Sequence, residues 1–338
     1  MIKSNLNLAF IAASPKEQEA EWIKALKSED ASLKAKADAC RELAVLGSKE
    51  AIAPLAALLL DEKLSHMARY GLEPNSDPAV DEALREALSK AKGRVLVGII
   101  GSVGMRRDTE AVEQLAGFLK SRDAEVVDAA ARALGNIGNR GAVRALMAAL
   151  NEVPGTSQLA VFEGLLRIAD SRIGDRPERA QRIYDRLREI KDAPHQVRAA
   201  ALRGAVLTRA NEGIPLLLEA VRGDDFVLVS AAARTAQEMK GTAVAKALAE
   251  ELEKLSTDKQ IVIISTLAKR GDKDALPAIF NIAKKGEKPA RIAAVRAMPE
   301  IGCDSAMSVL EELQNDSDED VAKAAKEGFI ALPSCLRE

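Results

Sequence analysis

A short phrase recurs along this chain: a glycine, three further residues, and then an alanine followed by an apolar residue. Clear copies are Gly47 with Ala51-Ile52, Gly138 with Ala142-Val143, Gly271 with Ala275-Leu276, and Gly302 with Ala306-Met307. The alanines at 111 and 142 lie 31 residues apart, and those at 275 and 306 repeat that spacing. A period of this size predicts a stacked array, in which each unit buries its apolar face only against its neighbours.

Composition indicates that the repeating unit is helical. Only 3% of the residues are aromatic, which argues against a β-sandwich or barrel, and the abundant alanines suit closely packed helices. Gly47 and Gly138 fit helix ends, because the left-handed C-cap conformation is easy only for glycine. The run from Ile261 to Ile264 has strand propensity, but its place in the period predicts a buried helix.

Charge and cysteine usage narrow the possible partners and compartments. Lysine and arginine number 49 and aspartate and glutamate 51, for a net charge of −2. This balance argues against nucleic acid as a partner, because that binding relies on surplus cations. Three scattered cysteines, Cys40, Cys303 and Cys335, favour a reducing compartment such as the cytoplasm. Residues 1–13 faintly imitate a secretion signal, so a periplasmic location after trimming is the alternative.

Capping signals and the period divide the chain into three parts. Ser14, Pro15 and Glu17 form a helix start, with a serine N-cap, a proline at the first helical position and a glutamate three residues after the cap. We therefore interpret residues 1–28, including the apolar segment 6–12, as N-terminal capping helices. Residues 29–316 form the repeat array, and residues 317–338 form a C-terminal capping helix and tail.

The fourth unit resembles the HEAT-repeat family. It begins Asp123-Ala124-Glu125-Val126, continues as AAARALGNIG from Ala129 to Gly138, and is followed by Ala142-Val143. The resemblance extends in weaker form over about residues 29–333. It implies an armadillo-like, all-α, right-handed α–α superhelix of about nine antiparallel helical hairpins plus caps, whose trailing helices line the concave side. The second and third units resemble bacterial HEAT-repeat proteins of unknown role, so the resemblance implies no specific activity.

Four polar residues in the second unit have helical spacing. His66, Arg69, Tyr70 and Glu73 follow one another at i, i+3, i+4 and i+7, which predicts that they share one helix face. One interpretation is a recognition patch for a partner. The alternative is the solvated side of an amphipathic helix, in which Arg69 pairs with Glu73.

A second candidate is a row of arginines in the third and fourth units. Arg106, Arg107 and Arg140 fall in equivalent turns, so they predict one edge that could bind an anionic group, with Arg144 beside it. Solvated turn charges are the alternative. Gly98 and the neighbouring glycines lack the pattern of a phosphate-binding loop, and we expect them to let adjacent helices approach closely.

Three further segments have unusual composition. The stretch 51–60 contains no charge, which predicts a helix covered by the N-terminal cap or one that docks a partner. Six arginines between Arg172 and Arg188 alternate with acids, which favours a salt-bridged, solvated face over a basic surface. The segment 311–320 holds six acids and no base, which predicts a solvated turn or an electrostatic contact with a basic partner.

Residues suited to catalysis are scarce. The two histidines, His66 and His195, have no metal-ligand spacing, and neither is followed by glutamate as in the HEAT-type metal hydroxylases. We therefore predict a non-catalytic scaffold that binds another protein on the concave face or edge, with no cofactor, metal or membrane span, as a monomer. The alternative is a HEAT-like enzyme, accessory lyase or chaperone acting on nucleic acid or a tetrapyrrole.

Overall fold

The computed structural model describes residues 14–153, 155–302 and 304–332. Within these ranges the secondary structure consists of 20 α-helices and five short 3-10 segments, with no strand. The all-α class expected from composition and period is therefore confirmed. The apolar segment 6–12, together with Cys303 and Cys335, lies outside the described residues.

The chain divides into two compact units, Met1–Ile168 and Ala169–Glu338. The helices of the first unit are α1 (Pro15–Lys27), α2 (Leu33–Leu46), α3 (Ile52–Ala56), α4 (Ser65–Leu72), α5 (Pro78–Lys90), α6 (Gly93–Arg106), α7 (Val112–Phe118), α8 (Ala124–Ile137), α9 (Arg140–Ala149) and α10 (Ser157–Asp170), whose last two residues belong to the second unit. The helices of the second unit are α11 (Pro177–Arg188), α12 (His195–Leu207), α13 (Ile214–Arg222), α14 (Phe226–Glu238), α15 (Ala243–Glu251), α16 (Thr257–Arg270), α17 (Leu276–Lys285), α18 (Lys288–Ile301), α19 (Asp304–Leu313) and α20 (Glu319–Ala331).

Each unit is built from stacked helical hairpins. In the first unit the leading helices α2, α4, α6 and α8 contact one another in order, and the trailing helices α3 with α5 and α7 with α9 form a second layer. In the second unit the leading helices α12, α14, α16, α18 and α20 stack in the same way, with α13, α15, α17 and α19 as the trailing layer. α20 is a leading helix without a trailing partner among the described residues.

Glycines end several leading helices, but by two different means. Gly138 and Gly271 adopt the left-handed conformation at φ 63° and 68°, as expected for a C-cap. Gly47 instead leaves α2 in an extended conformation at φ −67°, so the left-handed expectation is wrong there. Glycine is still required at position 47, because a Cβ would overlap the carbonyl oxygen of Leu43.

A polar contact at constant spacing ties the end of a trailing helix to the start of the next leading helix. The side chains of Gln158, Gln260 and Arg291 each donate to the carbonyl oxygen eight residues earlier, at 2.9, 3.1 and 2.8 Å. The acceptors are Leu150, Leu252 and Ala283. Because the last carbonyls of a helix lack partners within it, this contact satisfies them and fixes the angle of the turn.

The structure agrees with one helix prediction and differs from another. The run from Ile261 to Ile264 lies in α16 with Ile263 and Ile264 buried, so packing overrides strand propensity as predicted. The uncharged stretch 51–60 is less regular than expected, because α3 covers only Ile52–Ala56 and a 3-10 segment precedes it. α1 contacts α3, whereas Ala57 and Leu60 remain exposed.

Candidate functional site

A concavity of the first unit lies between the trailing helices α7 and α9. It has a volume of about 600 Å³. Its walls and floor consist mainly of small apolar side chains, among them Ala116 and Val112 of α7 and Ala145, Ala148 and Ala149 of α9. Because alanine side chains do not reach across to the neighbouring helix, the two helices leave space between them instead of interlocking. We call this concavity the α7–α9 groove.

Charged side chains line the same groove. Glu113, Lys120, Arg144 and Glu152 are exposed there, and within the described residues none of them has an oppositely charged partner within 4 Å. A smaller pocket of about 330 Å³ shares Leu119, Lys120, Glu152 and Val153 with the groove and adds Arg122. The combined surface therefore presents three cations and two carboxylates around an apolar floor.

The structure separates the four polar residues of the second repeat, His66, Arg69, Tyr70 and Glu73, into two pairs. Arg69 lies between α4 and α6, where its guanidinium donates to the hydroxyl of Ser102 at 3.3 Å, and that hydroxyl donates to Glu73 at 2.6 Å. Burial lowers the pKa of Arg69, although the charge of Glu73 partly opposes the shift. His66 and Tyr70 instead face solvent, and 49% of the Tyr70 surface is exposed. The quartet therefore divides into an internal pair, bridged by Ser102, and an exposed pair.

Arg106 does not lie with the other arginines of the predicted edge. Its guanidinium donates to the carbonyl oxygens of Glu73 and Asn75 at 2.9 and 2.5 Å and pairs with Asp81 at 2.5 Å. Only 10% of its side chain is exposed. Arg106 therefore caps the end of α4 and joins the second hairpin to the third.

Arg270 repeats this arrangement in the second unit. Arg270 is the last residue of α16. It donates to the carbonyl oxygen of Ala236, in the last turn of α14, and to those of Met239 and Gly241, which follow that helix. The recurrence shows that an arginine at the end of one leading helix can cap the previous leading helix.

The other three arginines of the predicted edge are accessible. Arg107 has a left-handed backbone at φ 56° and follows α6, and its side chain is exposed. Arg140 and Arg144 are exposed and lie one turn apart on α9, where Arg144 lines the groove. The structure thus brings Arg140 and Arg144 to the groove helix and excludes Arg106 from that surface.

Several side chains of the two charged segments in the second unit form ion pairs within that unit. Arg186 pairs with Glu189 at 2.8 Å, as expected for a salt-bridged face. In the acidic segment, Lys288 pairs with Asp318 and Asp320 at 3.1 and 2.7 Å. Arg291 binds Asp316 and lowers the pKa of that carboxyl. The acidic segment is thus a contact surface for α18 rather than a purely solvated turn.

The described residues contain neither a cluster of metal-ligating side chains nor a membrane-spanning helix. No group of three or more histidine, cysteine, aspartate or glutamate side chains there is placed to hold a metal ion. None of the helices found in that part of the chain is long and apolar enough to span a membrane.

Sequence reasoning identified Arg144 but missed the groove that it lines. The available signal was the spacing of alanines at 145, 148 and 149 on α9 opposite Ala116 on α7. It also missed Ser102 and Asp81 as the partners of Arg69 and Arg106, because those pairs join different hairpins.

These features define the class of protein: an α-helical repeat protein with a lined groove between trailing helices. The sequence profile described as HEAT repeats matches residues 80–165 and 245–329, just over half of the chain. The chain belongs to the HEAT-repeat family. No curated protein matches it significantly.

Solved structures with a similar fold include a Kap121p mutant, 10% identical, with a TM-score of 0.51, covering 94% of this chain and 41% of that one. An engineered protein is 19% identical over 95% of this chain and 99% of its own, with a TM-score of 0.40. Human deoxyhypusine hydroxylase in complex with glycerol is 15% identical over 94% and 96%, with a TM-score of 0.33. The similarity to the Kap121p mutant supports the fold alone.

Proposed function

We propose that this protein is a non-catalytic scaffold that binds a segment of another protein in the α7–α9 groove. The observation that supports the proposal is the coexistence of an apolar floor with exposed, unpaired charges at its sides. Isolated apolar side chains are common on protein surfaces, whereas a concave apolar floor with convergent polar groups is typical of binding sites.

The groove chemistry selects the kind of segment. A bulky aliphatic or aromatic side chain would fill the space above Ala145 and Ala148 and remove that floor from water. Carboxylates beside it would pair with Arg144 and Lys120. Together with Arg122, these cations outnumber the two carboxylates that line the same surface. The proposed occupant is therefore a peptide segment with one large apolar residue and acidic neighbours.

Some of the candidate residues identified from the sequence lie at or near the groove, and others do not. Arg144 lines the groove, and Arg140 and Arg107 remain candidates for its edge. His66 and Tyr70 are exposed on a leading helix and do not line the groove. The groove has no histidine, cysteine or hydroxyl side chain, which supports binding over catalysis. A monomer remains our prediction for the oligomeric state.

A phage-displayed library of random peptides, selected on the purified chain, tests the proposal. We expect selected peptides to carry a large apolar residue next to aspartate or glutamate. Their binding should be lost in Ala148→Trp, because the indole fills the groove. Ala57→Trp is the matched control, since Ala57 is an exposed alanine at the end of α3 and does not line the groove. Equal binding to both variants, or no selected peptide, would refute the proposal.

A further inference from the structure

The residues that line the α7–α9 groove recur at helical spacing on both walls. Small or apolar residues line each wall at intervals of four and then three residues: Val112, Ala116 and Leu119 on the α7 side, and Gly141, Ala145 and Ala148 on the α9 side. This spacing places side chains in one stripe along a helix, and it is the spacing with which helices pack along a common direction. On α9 the lining extends from Gly141 to Ala149, about 12 Å along the helix axis. The groove therefore runs along α7 and α9, not across them.

The backbone of both walls offers few hydrogen-bond partners to an occupant. The N–H and C=O groups in the middle of α7 and α9 are bonded within those helices. The turn after α7 is also bonded internally, because the N–H of Leu119 donates to the carbonyl of Ala116 at 3.3 Å. An extended segment would leave its own backbone groups unpaired against alanine side chains, which costs free energy. A helix satisfies those groups internally, so the walls favour a helical occupant.

The charged residues of the groove alternate in sign. Glu113 and Arg144 occupy equivalent positions of successive repeats, 31 residues apart. Lys120 follows Glu113 on the α7 wall by seven residues, and Glu152 follows Arg144 on the α9 wall by eight. Each wall thus carries one acid and one cation, in opposite order on the two walls. A complementary occupant has one base and one acid on each of its flanks.

Trailing helices of the second unit use such charges differently. Arg222 of α13 pairs with Glu251 of α15 at 2.7 Å, and Lys284 of α17 pairs with Glu312 of α19 at 2.5 Å. These ion pairs join neighbouring trailing helices to each other. The four charges of the α7–α9 groove form no ion pair with any described residue, and all four are exposed. The groove therefore keeps its charges free to contact an occupant.

We infer that the α7–α9 groove binds an amphipathic α-helix of the partner, an inference that rests on the proposed function. The bound helix lies along α7 and α9 as a third helix, with large apolar side chains at its heptad a and d positions above the alanines. Its flank towards α7 carries a base opposite Glu113 and an acid opposite Lys120. Its flank towards α9 carries an acid opposite Arg144 and a base opposite Glu152.

Two phage libraries test the helical occupant separately from the proposed function. One is the random library described above. The other has leucine at heptad positions a and d, randomised glutamate or lysine at e and g, and alanine elsewhere. We expect the purified chain to select members of the second library whose two flanks carry opposite charge orders. A proline in the middle of a selected peptide should weaken binding at least about tenfold, because it breaks the helix.

The outcomes of the two selections are distinguishable. Binders from the random library alone would overturn the helical occupant and leave the proposed function in place, and no binder from either library would overturn both. Selected helical peptides without a charge preference on their flanks, or peptides that tolerate the proline, would also overturn the helical occupant.

A charge exchange on one wall tests the predicted pairing. Glu113→Lys combined with Lys120→Glu reverses the α7 wall without changing the net charge. This variant should bind the selected peptides at least about tenfold more weakly, because two attractions become repulsions. Selection repeated on the variant should return helices with the charges of one flank inverted and those of the other unchanged. A defect in folding alone would not produce that inversion.

Glu62→Lys combined with Lys63→Glu is the matched control, because it exchanges an exposed acid and an exposed lysine that do not line the groove. The control should bind the selected peptides like the wild type. Circular dichroism will show whether both double variants are folded. Unchanged binding of the α7-wall variant, or an equal loss in the control, would overturn the inference.

Discussion

Gly104 of α6 packs directly on Ala133 of α8: a Cβ added at position 104 would lie 2.6 Å from the Cα of Ala133. Three residues earlier on the same helix, a Cβ at Gly101 would have no atom within 4 Å. These two glycines therefore have different roles on one helix. Gly104 permits the close approach of two hairpins, as the glycine spacing predicts, whereas Gly101 faces open solvent.

Alanine substitutions should separate the two roles. Gly104→Ala should destabilise the protein by about 1–3 kcal/mol, because backbone atoms must move to admit the methyl group. Gly101→Ala should stabilise it by about 0.5–1 kcal/mol through the lower entropy of the unfolded chain. The urea midpoint of each variant measures the effect. A stabilised Gly104→Ala would show that the hairpins are farther apart than described.

Removing the cap supplied by Arg106 should also weaken the first unit. Arg106→Met keeps the length of the side chain but leaves two carbonyl oxygens and Asp81 without their donor. We expect a loss of about 1–3 kcal/mol in the free energy of unfolding. Arg107→Met is the control, since the exposed side chain of Arg107 makes no ion pair within the described residues. Thermal unfolding of the two variants should therefore differ, and equal midpoints would contradict the capping role.

The difference between these neighbouring arginines shows what the sequence can and cannot predict. The helices were predictable because apolar spacing and caps are local, as at the Ser14 capping box and the C-cap at Gly138. The role of Arg106 was not, because its acceptors lie more than 20 residues away in the preceding hairpin. The groove was missed for the same reason: its volume depends on the distance between α7 and α9.

Ionisation of Glu251 should make the free energy of unfolding depend on pH in the acidic range. Arg222 holds its carboxylate through two hydrogen bonds of 2.7 and 2.8 Å, and Lys254 adds a third. These partners lower the pKa of Glu251 to about 2, from an ordinary value of 4.5. Because the folded state prefers the ionised form, this stabilisation is complete above the ordinary pKa. It is lost as the pH falls towards the folded pKa.

Glu251→Gln provides the test, because an amide does not titrate. The wild type should be more stable than the variant near neutral pH, and the gap should shrink between about pH 4.5 and pH 2. Glu250→Gln, at an exposed position without an ion pair in the described chain, should show no such change. Urea titrations across this pH range measure the gap, and a constant gap for Glu251→Gln would exclude the linkage.

Tyr184 and Gly204 should be energetically coupled across α11 and α12. Tyr184 is fully buried, donates its hydroxyl to Asp170, and lies so close to Gly204 that an added Cβ would overlap its ring. Gly204→Ala should therefore destabilise the wild type by about 1–3 kcal/mol through overpacking. Burial and the Asp170 contact both raise the pKa of Tyr184, so the phenol stays neutral and acts as a donor.

A double-mutant cycle with Tyr184→Leu measures this coupling. Tyr184→Leu alone should be destabilising, because it removes the hydrogen bond to Asp170 and leaves unfilled space beside Gly204. In the Tyr184→Leu background the methyl group of an alanine at position 204 has room. The destabilisation caused by Gly204→Ala should therefore be smaller there by at least about 1 kcal/mol. Denaturant unfolding of the wild type, both single variants and the double variant gives the interaction energy. If the effects of the two single substitutions on the free energy of unfolding simply add, the aromatic ring does not determine the need for glycine at position 204. The close packing of these helices must then have another cause.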